Sequence, residues 1–190
     1  MKHLRAFAFL AIAVSCPLLF ADDALVAQLE RTQARLLKSV EGLSEAQWNY
    51  KPAPDRWSIA ETFEHITAAE PFIRAMAAKS LETPAKEGSN KDEMLLKAIV
   101  DRSKKFKAPE PLIPTHKFKT QEEAVAAFRK ERAETIKLAS SGADFRAHGA
   151  DHFLLGPLDS AGWVLFLSGH SERHTLQIDE VKTTEGYPKQ

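Results

Sequence analysis

Cysteine is almost missing. The chain has one in 190 residues, Cys16, and it falls within an apolar run from Ala6 to Phe20. From Asp22 onward there is none, which excludes disulfides, a thiol nucleophile and thiolate metal ligands from that part of the chain. A surplus of charge is missing too. Lys plus Arg and Asp plus Glu number 26 each, and no basic patch of the kind that nucleic acid calls for stands out. There is no apolar stretch of the roughly 20 residues that a spanning helix needs, because the run at the start is only about 15 long. Internal repeats, low-complexity tracts and convincing strands are absent as well. The chemistry that remains must use histidine, carboxylates or hydroxyls.

The start of the chain differs from the rest. Lys2 and Arg5 precede the apolar run, and Ala21 closes it before Asp22 and Asp23, the pattern of a secretory signal peptide. The expectation is a leader over residues 1 to 21, cleaved near Ala21, and a protein exported to the periplasm or secreted. Cys16 is followed by apolar PLLF rather than a polar spacer, which argues against a lipoprotein site. Residues 22 to 190 are then one domain with no membrane span of its own, and with 44% hydrophobic residues in the full chain it has material for a sizeable core.

That domain reads as helices separated by proline-rich connections. Leu25, Leu29, Leu36, Leu37 and Val40 give a first amphipathic helix that closes near Gly42. SEAQ at 44 to 47 is a capping box for a short turn, and Ser58 with Glu61 is a second box. The second box opens a long helix marked by Ile59, Phe63, Ile66, Ile73 and Met76, running to about Ser80. DEMLLKAIVDRSKKF reads as a helix, and APEPLIPTH as a linker whose three prolines exclude regular structure. Thr120 with Glu123 opens a helix to about Ala139. Gly142 begins a loop ending in LLGPLD, after which Asp159 or Ser160 caps a last helix reaching about Lys182. Four main helices without alternating segments predict an all-α fold, an antiparallel four-helix bundle, with no sheet of three or more strands.

The last helix carries the chemical question. Its core stripe runs Trp163, Leu167, position 170, position 174, Ile178 and Val181, and two of those positions hold His170 and His174. Burying a polar group without a partner costs on the order of 1 to 3 kcal/mol, so the adjacent pair needs a common compensation. One reading is that each ring bonds a carbonyl or carboxylate. The other is a metal ion. His65, in EHITAAE on the second long helix, lies about 9 Å inside the start of its helix, and His174 lies about 12 Å from the end of its own. If those helices are antiparallel neighbours, the three imidazoles lie at similar depth, and three neutral imidazoles with open positions form a catalytic type of metal site. His152 reads as a loop histidine packed near the bundle end. Glu64 and Glu172 read as surface charges, with partners of the histidines or general bases the alternative, and Trp48, Trp57 and Trp163 as core, with a substrate-pocket wall the alternative for one of them.

The stretches EGLSEAQWNYKPAPDRWSIAETFEHI and HFLLGPLDSAGWVLFLSGHSERHTLQI resemble the DinB-like superfamily. Trp57-Ser58, His65, GPL at 156 to 158, Trp163, His170, His174 and Gln177 occur in that family's order and approximate spacing. The sequence departs from the family at Phe153, where relatives often have proline, and at Gly162, where they often have glutamate. The resemblance implies a four-helix bundle of the DinB-like type with a divalent metal cation held by His65, His170 and His174. It also implies enzymes of the thiol-dependent transferase, isomerase or metal-dependent hydrolase kind, in which the metal activates water or a substrate thiolate. Zinc, nickel and iron all accept imidazole. A non-catalytic metal- or ligand-binding bundle is the alternative. A small-molecule substrate and a homodimeric assembly are compatible with the resemblance; a nucleic-acid partner is not expected.

Overall fold

Side-chain caps fix where the helices begin. In the computed structural model, which describes residues 21 to 189, Ser58 Oγ accepts from the Glu61 amide at 3.1 Å while the Glu61 carboxylate accepts from the Ser58 amide at 2.7 Å. This closed capping box starts α3 (Ile59–Ser80). Ser44 and Gln47 form the same device at the short α2 (Glu45–Asn49), after α1 (Ala21–Val40). Thr120 caps α5 (Gln121–Ala139), and Asp159 caps α6 (Ser160–Lys182) by accepting from the Gly162 amide at 2.6 Å. The described helices include none long and apolar enough to cross a membrane. Residues 1 to 20, nearly all of the expected leader, lie outside the described residues.

Of the four long helices, α6 meets α1 and α3, α5 packs on α1 and α3, and α6 is flanked by α4 (Asp92–Val100). Helix α3 runs antiparallel to α6: the Ser80 hydroxyl meets Ser160 at 2.7 Å at one end, and His65 meets His170 at the other. Helices α1 and α5 are also antiparallel, since Gln121 reaches the Val40 carbonyl and Arg132 the Leu29 carbonyl. The remaining neighbours run parallel, α1 with α6 through Arg35 to Glu172 and Lys182 to the Ser39 carbonyl, and α3 with α5 through Phe63 against Phe128 and Arg74 to Thr135. Parallel neighbours require a crossover. The chain makes it by returning along α6 through α4 and then crossing the bundle end to α5.

Glycine permits one step of that return. A Cβ at Gly169 would stand 3.1 Å from Ile99 Cγ2, so the bare backbone lets α4 lie close against α6 beside His170. The return differs from the sequence expectation in two places. Helix α4 stops at Val100 rather than continuing to Phe106, because Asp101 leaves the helical conformation and Arg173 captures the carbonyls of Ile99, Asp101 and Lys104, holding the segment in a turn. The linker is not wholly irregular either. Glu110–Leu112 form a 3₁₀ turn, which tolerates Pro111 because its amide lies in the first turn, where no partner is needed.

The expected loop after Gly142 contains a β-hairpin, β1 (Gly149–His152) paired antiparallel with β2 (Gly156–Asp159). Four-residue strands are too short to show an alternating pattern, so sequence periodicity missed them. A Cβ at Gly149 would lie 2.4 Å from the Leu158 carbonyl, and Gly156 turns with φ +71°, so both positions demand glycine.

The interior has two apolar halves. One contains Leu25, Leu29, Ile73, Phe145, Trp163 and Leu167, and the other Leu36, Trp48, Phe63, Phe128, Ile178 and Val181. Each large apolar side chain so buried contributes roughly 1.5 to 3 kcal/mol. Between the halves lies a polar layer centred on Arg132 and Glu70, which are 0% and 1% exposed.

Candidate metal centre

His65 projects from the second turn of α3, and His170 and His174 project from one face of α6 a turn apart. The antiparallel pairing brings them together. Ring centroids lie 5.0 Å apart for His65 and His170, 4.6 Å for His65 and His174, and 4.5 Å for His170 and His174. One ligand-capable atom from each falls within 4.8 Å of the other two, and among the described residues no carboxylate joins them.

The surrounding groups decide which nitrogens face inward. His65 Nδ1 lies 2.8 Å from the Leu112 carbonyl, which can only accept, so Nδ1 carries the proton and Nε2 keeps its lone pair. His174 Nδ1 lies 2.9 Å from Gln177 Oε1. Arg102, which only donates, approaches the same oxygen at 3.3 Å, fixing the amide with its oxygen toward the imidazole and again leaving Nε2 unprotonated. His65 Nε2 and His170 Nε2 stand 3.1 Å apart. Burial places all three rings toward the neutral form. It pushes His65 down against the opposing pull of the Leu112 carbonyl. It drives His170 well below the usual range, helped by His174 and His65, and with His65 it takes His174 down to about 3.

These residues fit a divalent cation. Metal to imidazole bonds of about 2.0 to 2.1 Å in tetrahedral geometry set neighbouring nitrogens roughly 3.3 Å apart, close to the separation between His65 and His170. At His65 and His174 the rings combine an inward lone pair with an outward proton held by an acceptor, which is what a metal requires of histidine. Three protein ligands leave coordination positions open, as catalytic sites do and closed structural sites do not.

The other residues singled out by sequence fall elsewhere. His152 is 4% exposed on β1, its Nδ1 accepting from the Leu154 and Leu155 amides and its ring against Trp163 and Phe166, outside the histidine cluster. Glu64 is not a surface charge. Its carboxylate is buried and accepts from the Thr115 and Lys117 amides at 2.7 and 3.0 Å, which clasps the crossing segment on either side of His116. His116 takes φ +59°, a conformation that this clasp sustains. Glu172 is not free either, since it pairs with Arg35 and is largely covered. Trp48 and Trp163 are core, while half-buried Trp57 packs its ring 4.9 Å from His65 and walls the site.

Sequence reasoning missed the Leu112 carbonyl, because a backbone acceptor on a proline-rich linker leaves no residue signature. Gln177 was visible as a polar residue three after His174, the spacing that lets it reach back to that ring.

The comparisons agree with this geometry. An uncharacterized protein of Bacillus subtilis (strain 168), YuaE, is 28% identical over 145 residues, which cover 75% of this chain and 88% of that one. A solved structure of YfiT from Bacillus subtilis, described as a probable metal-dependent hydrolase with an unusual four-helix bundle topology, superposes with a TM-score of 0.58 over 85% of each chain at 19% identity. That likeness establishes the fold. The family model of the DinB superfamily matches residues 28–178, a span that contains all three histidines and every bundle helix in whole or large part, and the chain therefore belongs to the DinB superfamily.

Proposed function

We propose that this protein is an exported metal-dependent enzyme, with hydrolysis as the favoured reaction and a divalent cation held by His65, His170 and His174. The observation that carries the reading is the convergence of three neutral imidazoles from two antiparallel helices with no carboxylate among them. YfiT, described as a probable metal-dependent hydrolase, shares the fold and supports the class of reaction. Export rests on Lys2, Arg5 and the apolar run to Phe20, and it makes a cytoplasmic low-molecular-weight thiol a less obvious partner than water.

A cation there supplies Lewis acidity and brings water at an open position toward ionisation near neutral pH. The chain's own residues do the rest. Leu112 and Gln177 hold the Nδ1 protons of His65 and His174, so neither ring can rotate without losing a hydrogen bond. Trp57 presents an apolar wall beside His65, and half-buried Phe166 lies 6.4 Å from His170, so a bound small molecule would meet aromatic surface on both sides. Gly169 and the clasped crossing segment keep the wall of the site close to α6.

One observation favours the alternative of a non-catalytic binding module. The acidic residues nearest in sequence lie outside the histidine cluster. Glu64 is held by Thr115 and Lys117, and Glu172 pairs one oxygen with Arg35 while the other, among the described residues, is buried without a partner. No described carboxylate therefore stands among the three imidazoles to move a proton. Metal analysis together with a substrate panel separates the two readings. The purified protein is expected to hold about one divalent ion per chain and to hydrolyse an ester or amide in a panel that also includes thiol-conjugation substrates. His174→Ala should lose both properties. Metal at full content with no turnover of any substrate would leave only the binding module, and full metal content in a His65→Ala/His174→Ala variant would remove the triad altogether.

A further inference from the structure

Arg132 is fully buried, and all five of its N–H donors end on acceptors. Nε and Nη2 both meet Glu70 Oε1, Nη1 meets the Leu29 carbonyl at 2.8 Å and Thr32 Oγ1 at 2.9 Å, and Nη2 also meets Ser171 Oγ at 2.7 Å. Thr135 donates to the other Glu70 oxygen at 2.9 Å. One guanidinium therefore holds α1, α3 and α6 from α5, at the level where the two apolar halves of the core meet.

Stability alone does not call for such a group. A buried ion pair is often replaceable by apolar residues of similar volume without loss, because desolvation offsets the attraction, and its best-attested use is to fix register. Its position here bears on the histidines. Ser171 follows His170 directly and precedes His174 by three residues, and Glu70 is five residues beyond His65. Apolar surfaces can slide by fractions of an ångström at little cost, whereas directional hydrogen bonds to a planar fork cannot. A site assembled from two helices loses its geometry when one shifts by about 1 Å.

We propose that the Glu70–Arg132 pair, acting through Ser171, is the positioning element of the metal centre, setting the height of His65 on α3 against His170 and His174 on α6. This rests on the metal reading of the triad. The histidines supply the ligand atoms; Arg132 touches none of them and acts through the backbones of the two helices that carry them.

The test compares zinc and cobalt affinity, measured by competition with a chromophoric chelator, with the melting temperature of the metal-free protein. Glu70→Leu/Arg132→Met keeps volume and removes the fork. It should melt within a few degrees of the wild type and bind zinc about 10- to 100-fold more weakly, the range seen when outer contacts of a metal site are lost, with an altered cobalt absorption spectrum. Wild-type affinity and spectrum in a folded double variant would overturn the proposal. Should that variant fail to fold, Ser171→Ala and Thr32→Ala carry the test. Each removes one acceptor from Arg132, but only Ser171 lies on a ligand-bearing helix. Positioning predicts weaker metal binding for Ser171→Ala and unchanged binding for Thr32→Ala; equal losses, or none, would overturn it. Failure of the wild type to bind either cation would sink the metal reading and this proposal with it, and shows before any substitution is made.

Discussion

At the middle of the bundle Arg132 spends every donor on an acceptor, while one turn away three imidazoles converge, with the inner nitrogens of His65 and His170 3.1 Å apart and no described carboxylate among them. Both interrupt an apolar interior, and both are shielded from water. The difference is in what each lacks. A saturated network needs no ligand and resists change, because removing any member strands the others. A convergent set of imidazoles, two of them fixed by outer hydrogen bonds to Leu112 and Gln177, is arranged for something that accepts electrons. Burial of polar groups therefore does not by itself mark a functional site; unfinished pairing does.

The sharpest way to break this comparison is Arg132→Ala. It leaves the Glu70 carboxylate buried beside a void, and breaking one side of a buried pair costs about 3 to 5 kcal/mol. At roughly 2 to 4 °C per kcal/mol for a domain of this size, the metal-free protein should melt about 6 to 20 °C lower, as followed by circular dichroism. His174→Ala in metal-free protein should do far less, since it removes a ring whose charged form the interior already disfavours. Equal losses from the two substitutions would erase the distinction between saturated and open polar groups.

Acid sharpens the same contrast. His65, His170 and His174 all have folded-state pKa values below the ordinary 6.5. The unfolded chain therefore takes up protons that the folded chain refuses, and the stability these neutral rings contribute is fully present above about 6.5. It falls as the pH drops from 6.5 toward about 3 at His174, by up to about 1.4 kcal/mol per pH unit for each ring. The melting temperature of metal-free protein should drop between pH 7 and 5, and that of His174→Ala should drop less. With metal bound the fall should be steeper, because protons compete with the cation, and excess chelator at pH 7 should reproduce the metal-dependent part. A melting temperature untouched by chelator, after metal removal is confirmed, would make the cluster a packed core group.

Much of this was legible in the sequence, for reasons tied to particular residues. The capping pairs Ser58 with Glu61 and Thr120 with Glu123 placed helix starts within a residue, because capping is local chemistry. The triad was legible because His170 and His174 occupy stripe positions where apolar residues belong. The Arg132 layer was not. Its members come from four helices, and a lone arginine in AFRKERAET reads as one more surface charge until the tertiary fold closes over it. The parallel neighbours were hidden for the same reason, since helix periodicity gives faces and lengths but not which way a distant helix returns. Phe153 at 84% and Leu154 at 59% exposed belong to a hairpin too short to announce itself.

Gln177 tests a smaller effect. Gln177→Leu keeps the bulk but removes the acceptor at His174 Nδ1 and the contact with Arg102. Metal affinity should fall about 10- to 100-fold while the metal-free melting temperature stays within a few degrees. Gln177→Glu preserves an acceptor and should recover most of that affinity, a rescue that a merely space-filling role would not give.

His152 marks the lower end of the scale and the limit of the comparison. Its ring is as deeply buried as the triad, and burial together with nearby Lys91 lowers its pKa. Yet Nδ1 is already engaged by two backbone amides of its own hairpin, and the ring is stacked among Phe153, Trp163 and Phe166. By the pairing criterion it is a packing residue that caps the hairpin turn. His152→Ala should lower the melting temperature by a few degrees, through lost aromatic contacts and two freed amides, with metal stoichiometry and affinity unchanged within a factor of about two. A loss of bound metal comparable to that of His174→Ala, measured by elemental analysis on folded protein, would show that burial and ring contact matter more than the direction of the free lone pair.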